Sequence, residues 1–94
     1  DWLALDLEWP RRIDRYVVAS QPGDPAYLPR RFTLQASDDG FAWIDVDSVS
    51  GNRSPRVERR VAEFRARHVR LYLPDGKPFR IDELELYRDG VPGA

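Results

Sequence analysis

TLQASDDGFAWIDV, residues 33–46, decides the fold. An alternating run from Thr33 to Ala36 meets Ser37-Asp38-Asp39-Gly40, and a second alternating run follows Trp43. Asp tolerates the left-handed region and Gly enters it without a steric penalty, so Ser37 to Gly40 predicts a tight hairpin connection. Trp43, directly after the turn, is expected to fold into the core against Leu34, Val69 and Leu71.

Outward from this hairpin, similar signals recur every 10–15 residues. Leu3, Leu5 and Leu7 alternate with Ala4, Asp6 and Glu8, the period of a half-buried strand. Trp9-Pro10 ends that strand, since Pro has no amide to donate to a ladder. Residues 13–19 are rich in β-branched side chains and form the next one. Residues 58–64 and 68–73 give two more; in the latter Val69, Leu71 and Leu73 point one way and His68, Arg70 and Tyr72 the other. Residues 81–87 close the set, with Ile81 out of phase with Leu84 and Leu86, as at a bulge. Val57, Val61 and Phe64 sit at helix-like spacing, which leaves residues 55–67 open to a helix. About seven short strands joined by Pro- and Gly-rich loops predict an all-β, antiparallel sandwich or barrel.

Ninety-four residues make one domain, long enough to bury roughly 60–65% of its unfolded surface. Residues 1–88 carry the strand pattern, and residues 89–94 read as a tail or the start of a linker. The chain has 15 basic and 16 acidic residues, a balance that argues against a nucleic-acid partner. No apolar run approaches the roughly 20 residues that span a bilayer. With no Cys, thiolate chemistry and Cys-ligated zinc are excluded. The absence of Met implies a chain cut from something longer.

Four stretches together are specific. WLALDLEWPRRID (2–14), FTLQASDDGFAW (32–43), ARHVRLYL (66–73) and IDELELY (81–87) resemble, in order and spacing, the strands of the discoidin or coagulation-factor C-type (F5/8 type C) family. That family includes the family 32 carbohydrate-binding modules. The resemblance implies a jelly-roll, galactose-binding-domain-like sandwich and an extracellular or cell-surface location. It departs at two places: about 30–50 residues that usually precede the Trp-Leu strand are not in this sequence, and the family's turn Gly is Glu8. His68 stands where the family usually has Tyr.

Strand alternation gathers the connections at 20–30, 47–57 and 74–80 at one end of a sandwich, and the shorter ones at 8–12, 38–41 and 65–67 at the other. Long loops on a rigid scaffold are where binding sites are built, and the resemblance implies glycan or lipid-headgroup binding at that end. Tyr27 and Phe79 offer aromatic faces to a pyranose ring. Asn52, Arg53 and Arg80 offer bonds to its hydroxyls, Arg as a planar fork. These five are the candidate ligand-binding residues. The blander role of each is core lid, turn former or solvated ion-pair partner. A glycan or polysaccharide is therefore the expected partner, alongside neighbouring domains of a parent chain. The alternative is an interaction or structural module that docks beside a catalytic domain, for which Trp9, at the opposite end, is the contact.

Catalytic constellations are not formed. His68 is the only His, and nothing sets a nucleophile beside it. Glu83 and Glu85 share a strand face, as exposed carboxylates often do. The family's structural calcium lies between an early Asp-Gly loop and a carboxylate that the resemblance puts at Glu85. Calcium wants six to eight oxygens, several from one loop, so no cofactor and no metal are expected. Paired apolar spikes at loop tips, needed for membrane binding, are missing as well.

Overall fold

The computed structural model describes residues 2–20, 29–74 and 83–88. Among the described residues there are five strands: β1 (Trp2–Ala19), β2 (Phe32–Ser37), β3 (Ile44–Val49), β4 (Arg56–Tyr72) and β5 (Glu83–Tyr87). They form one antiparallel sheet of order β3-β2-β4-β1-β5. The all-β expectation holds, and no helix occupies 55–67. The strands number five because two expected pairs are each one long strand.

β1 runs 18 residues, which fully extended would reach roughly 60 Å, yet the longest dimension of the molecule is 41 Å. The ribbon that β1 makes with β4 must fold over. Its register slips between Asp6 and Arg11, where Asp6 faces His68 and Arg11 faces Ala66, so residues 7–10 of β1 stand against Arg67 alone. Trp9-Pro10 thus bends the strand without ending it, because a bulge needs no donor from Pro. Asp6 Oδ1 accepts from the Glu8 amide at 2.8 Å, and Arg67 holds both oxygens of the same carboxylate at 3.0 and 3.1 Å. Those bonds, Arg67's first, hold the Asp6 carboxyl down at about 2.

Glu8 itself has φ 74°, a left-handed conformation that costs a residue with a Cβ. This is the position where the family pattern calls for Gly. Replacing Glu8 with Gly removes the steric cost and adds unfolded-state entropy, for a net gain of about 0.5–1 kcal/mol. A thermal melt of Glu8→Gly should show a small upward shift.

A second slip lies between Ile13–Phe64 and Arg15–Arg60, where residues 61–63 of β4 face Asp14 alone. The slip moves Phe64 onto the face that holds Val57 and Val61, and all three pack partly buried against the core. Their helix-like spacing is thus a bulged strand.

Folding the ribbon stacks its two halves. β3, β2 and the paired ends of β4 and β1 make one layer; residues 15–19, 56–60 and β5 make the other. Ile13, Tyr16 and Val18 from one side meet Phe32, Leu34, Ala36, Val69 and Leu71 from the other, all at most 3% exposed. A polar clasp closes the stack. The Tyr16 hydroxyl donates to Asp47 Oδ2 at 2.7 Å, and Arg59 donates to both oxygens of Asp47 at 2.9 and 3.1 Å. β1 and β3 are not neighbours in the sheet, so this contact exists only in a closed sandwich.

The hairpin at 37–43 forms as expected. Asp39 Oδ1 accepts from the amides of Ala42 and Phe41 and from the Ser37 hydroxyl, which holds its carboxyl below the usual range. Gly40 takes φ 82° and donates to Ser37 Oγ at 2.8 Å. A Cβ there would sit 3.5 Å from the His68 ring, an ordinary contact. Gly40→Ala is therefore opposed by backbone alone, and should cost about 1–2 kcal/mol in a urea titration.

The expectation for Trp43 fails. It is half-buried and lies outside the core. The register pairs Ile44 with inward-facing Ala36 and Asp45 with outward-facing Gln35, so parity sends Trp43 outward. Its ring lies under the Arg70 guanidinium at 4.1 Å and edge-on to His68 at 6.5 Å.

Candidate functional site

The described part of the long-loop end is built by residues 29–31, 50–56 and 73–74. Asn52 organises it. Its amide donates to the Pro29 carbonyl at 3.0 Å and the Ser54 carbonyl at 3.1 Å, while its Oδ1 accepts from the Ser54 amide at 3.0 Å. Its backbone N–H reaches the Arg30 carbonyl at 3.0 Å, and Ser20 N–H reaches the Pro55 carbonyl at 2.7 Å. The β1–β2 and β3–β4 connections are thereby tied together. Gly51 turns the chain with φ 68°.

Both amide hydrogens of Asn52 are spent within the loop, so toward a ligand it can only accept, through Oδ1. Arg53, one residue on, is exposed and has no hydrogen bond or ion pair among the described residues. Tyr27, Phe79 and Arg80 lie outside the described residues. Of the five candidates, Asn52 and Arg53 are described: Asn52 braces the loop, and Arg53 is exposed and unpaired among the described residues.

Elsewhere, an apolar groove of about 410 Å³ runs between the bent part of β1 and β5, floored by Leu5, Leu7, Leu84 and Leu86. A cleft of about 250 Å³ opens at the short-turn end beside Ser37, Asp39 and Arg65. Neither reaches the Asn52 loop. Trp9, also at the short-turn end, is 55% exposed with Arg11 stacked on it at 4.8 Å.

Glu85 accepts from the Tyr87 hydroxyl, which raises the phenol's pKa. Among the described residues no three His, Asp or Glu side chains gather as metal ligands. His68 meets Trp43 edge to face and lies 4.0 Å from Asp6, with no nucleophile bonded to it among the described residues.

One group was invisible to sequence reasoning. On the outer face of the first layer, Trp2, Arg70 and Trp43 form a row, with the guanidinium 4.5 Å from the Trp2 ring and 4.1 Å from the Trp43 ring. The alternation of His68, Arg70 and Tyr72 pointed at that face. Trp43 joins that face only through the β2–β3 register, which is not a local property of the sequence.

The family model described as F5/8 type C, NedA-like, galactose-binding domain matches residues 1–71. The chain belongs to this F5/8 type C family. Among solved structures, the fold is shared with a family 32 carbohydrate-binding module from Clostridium perfringens, solved with GalNAc-β-1,3-galactose. The TM-score there is 0.82 and the identity 18%, over 93% of this chain and 65% of the other. The family 32 module of Streptococcus pneumoniae EndoD gives 0.76 and 21%, over 94% and 69%. Chitosan-binding module 2 of a Paenibacillus sp. IK-5 chitosanase/glucanase, in complex with chitotriose, gives 0.76 and 21%, over 93% and 69%. This F5/8 type C chain thus spans about two thirds of the length of these structures. None of the curated proteins matches it.

Proposed function

We propose that this domain is a non-catalytic carbohydrate-binding module of a larger bacterial secreted or surface protein, which takes glycans at its long-loop end. The observation that carries the reading is membership of a galactose-binding-domain family. The Asn52-braced loop, with Arg53 exposed and unpaired among the described residues, offers a donor fork on a fixed backbone. In this reading Tyr27 and Phe79 stack on the sugar, and Arg53 and Arg80 bond its hydroxyls. Asn52 works mainly by holding the loop. Holding an attached enzyme near its polysaccharide raises the effective substrate concentration.

Calorimetry on the isolated domain with GalNAc-β-1,3-galactose and chitotriose, following a glycan array, tests it. Binding tighter than millimolar, about −4 kcal/mol, is expected for at least one glycan. Arg53→Ala should weaken that binding about tenfold and leave the melting temperature unchanged. A domain that binds no sugar on the array more tightly than millimolar contradicts the reading.

A second reading, docking beside a catalytic domain, is favoured by one observation: Trp9 stands 55% exposed at the opposite end. Trp9→Ala should then weaken association with the neighbouring domain while sugar binding is kept.

A further inference from the structure

The outer face of the first layer carries chemistry that the loop reading does not use. The register puts Trp2 opposite Tyr72, Ala4 opposite Arg70, and Gln35 between Arg70 and Asp45. The side chains follow it. Arg70 Nε donates to Gln35 Oε1 at 2.6 Å, and Gln35 Nε2 donates to Asp45 Oδ1 at 2.8 Å. The Trp2 and Tyr72 rings tilt together at 6.2 Å, and the Arg70 guanidinium sits against both Trp2 and Trp43.

Two features separate this row from a device that only staples strands together. Trp2 remains 59% exposed, whereas a staple gains by covering its ring. The terminal nitrogens of Arg70 have no acceptor among the described residues. Gln35 has fixed the guanidinium through Nε alone, leaving its outer N–H groups to point at something else. The exposed Asp45 has a second oxygen, Oδ2, with no donor among the described residues, as an acceptor on the same face. An aromatic plane, a positioned fork of donors and a nearby acceptor fit a ligand that is apolar on one face and hydroxylated at its rim. A pyranose ring has that character.

We propose that Trp2, Arg70 and Asp45 form a second glycan-binding surface, separate from the loop end, that takes internal residues of a long polysaccharide. The sugar lays its C–H face on Trp2, Arg70 donates to its ring substituents, and Asp45 accepts from a hydroxyl. The row lies on strands and not in a loop-walled pocket, so a chain can run across it in both directions. Only the ligand class rests on the loop reading. The Arg70 fork can donate either to two hydroxyls of a neutral polymer or to the carboxylate of a uronate.

The test is affinity electrophoresis of the intact domain in gels containing hydroxyethylcellulose or polygalacturonate, beside calorimetry with GalNAc-β-1,3-galactose and chitotriose. Trp2→Ala and Arg70→Lys are compared with Arg53→Ala, and thermal melts establish that each variant is folded. Arg70→Lys keeps the charge and removes the fork. Retardation by one of the polymers is expected, reduced at least fivefold by Trp2→Ala and by Arg70→Lys, with small-glycan binding unchanged. Stronger loss in the polygalacturonate gel identifies the carboxylate, and stronger loss in hydroxyethylcellulose the hydroxyls. Retardation unaffected by both substitutions, or absent in wild type from both gels, overturns the proposal. The loop reading still stands in either case if calorimetry shows binding that Arg53→Ala removes.

Discussion

Phe32→Ala should cost about 3–5 kcal/mol, among the largest losses expected of a single core truncation in this domain. Phe32 is 1% exposed and opens β2, where it shares the inner face with Leu34 and Ala36. Its ring belongs to the one cluster that joins both layers, with Tyr16 and Val18 from the other side. β2 is held between β3 and β4, so neither neighbour can move in to fill the space. Domains of this size have about 5–15 kcal/mol in all, and the change corresponds to a melting temperature lower by on the order of 20 °C. Trp43→Ala serves as the contrast. Half-buried beside Arg70, it should cost well under half as much. Equal melts for the two variants would show that the core is not where the buried residues put it.

Asp47→Ala is expected to cost about 2–4 kcal/mol, more than its partly exposed position suggests. Its carboxylate is the acceptor for a Tyr16 hydroxyl that is fully buried, and for a twofold grip by Arg59. Removing it strands the phenol without a partner inside the protein. Adding Tyr16→Phe should restore part of the loss, because the orphaned hydroxyl goes too; a double-mutant cycle measures the coupling. Additive losses in the cycle would contradict the clasp.

The clasp also shapes stability against pH. Arg59, ahead of the Tyr16 hydrogen bond, holds the Asp47 carboxyl below the usual carboxylate range. A carboxylate depressed in the fold stabilises above its unfolded value, roughly 3.9, and that stability is lost as pH falls through the folded value. Burial first, and then Asp47, push the Tyr16 phenol above its ordinary value. Its share is complete below roughly pH 10 and declines as pH rises toward the folded value. Urea titrations from pH 2 to 11 should show a plateau with a fall at each end. Asp47→Asn should flatten the acid limb, and an unchanged acid limb would show that other carboxylates set it.

The alternation in residues 33–46, with an Asp-Gly turn between the runs, determined the hairpin and the all-β class before any tertiary contact was known. Period two and turn chemistry are local properties, carried by neighbours in the chain. The family pattern was likewise written in four short stretches, and residue 8, where it calls for Gly, has the backbone of Gly. The tertiary structure alone decided how many strands there are, because Pro10 ends a flat strand but is tolerated in a bulge, and only pairing with Arg67 distinguishes the two. It also decided which way Trp43 points. A side chain next to a turn takes its face from the register of the strand that follows, and Gln35 opposite Asp45 sets that register across the sheet. The Asp47 clasp and the Trp2, Arg70 and Trp43 row join residues 12 to 68 positions apart. Such contacts arise from folding the ribbon and crossing the sheet, and no local pattern encodes them.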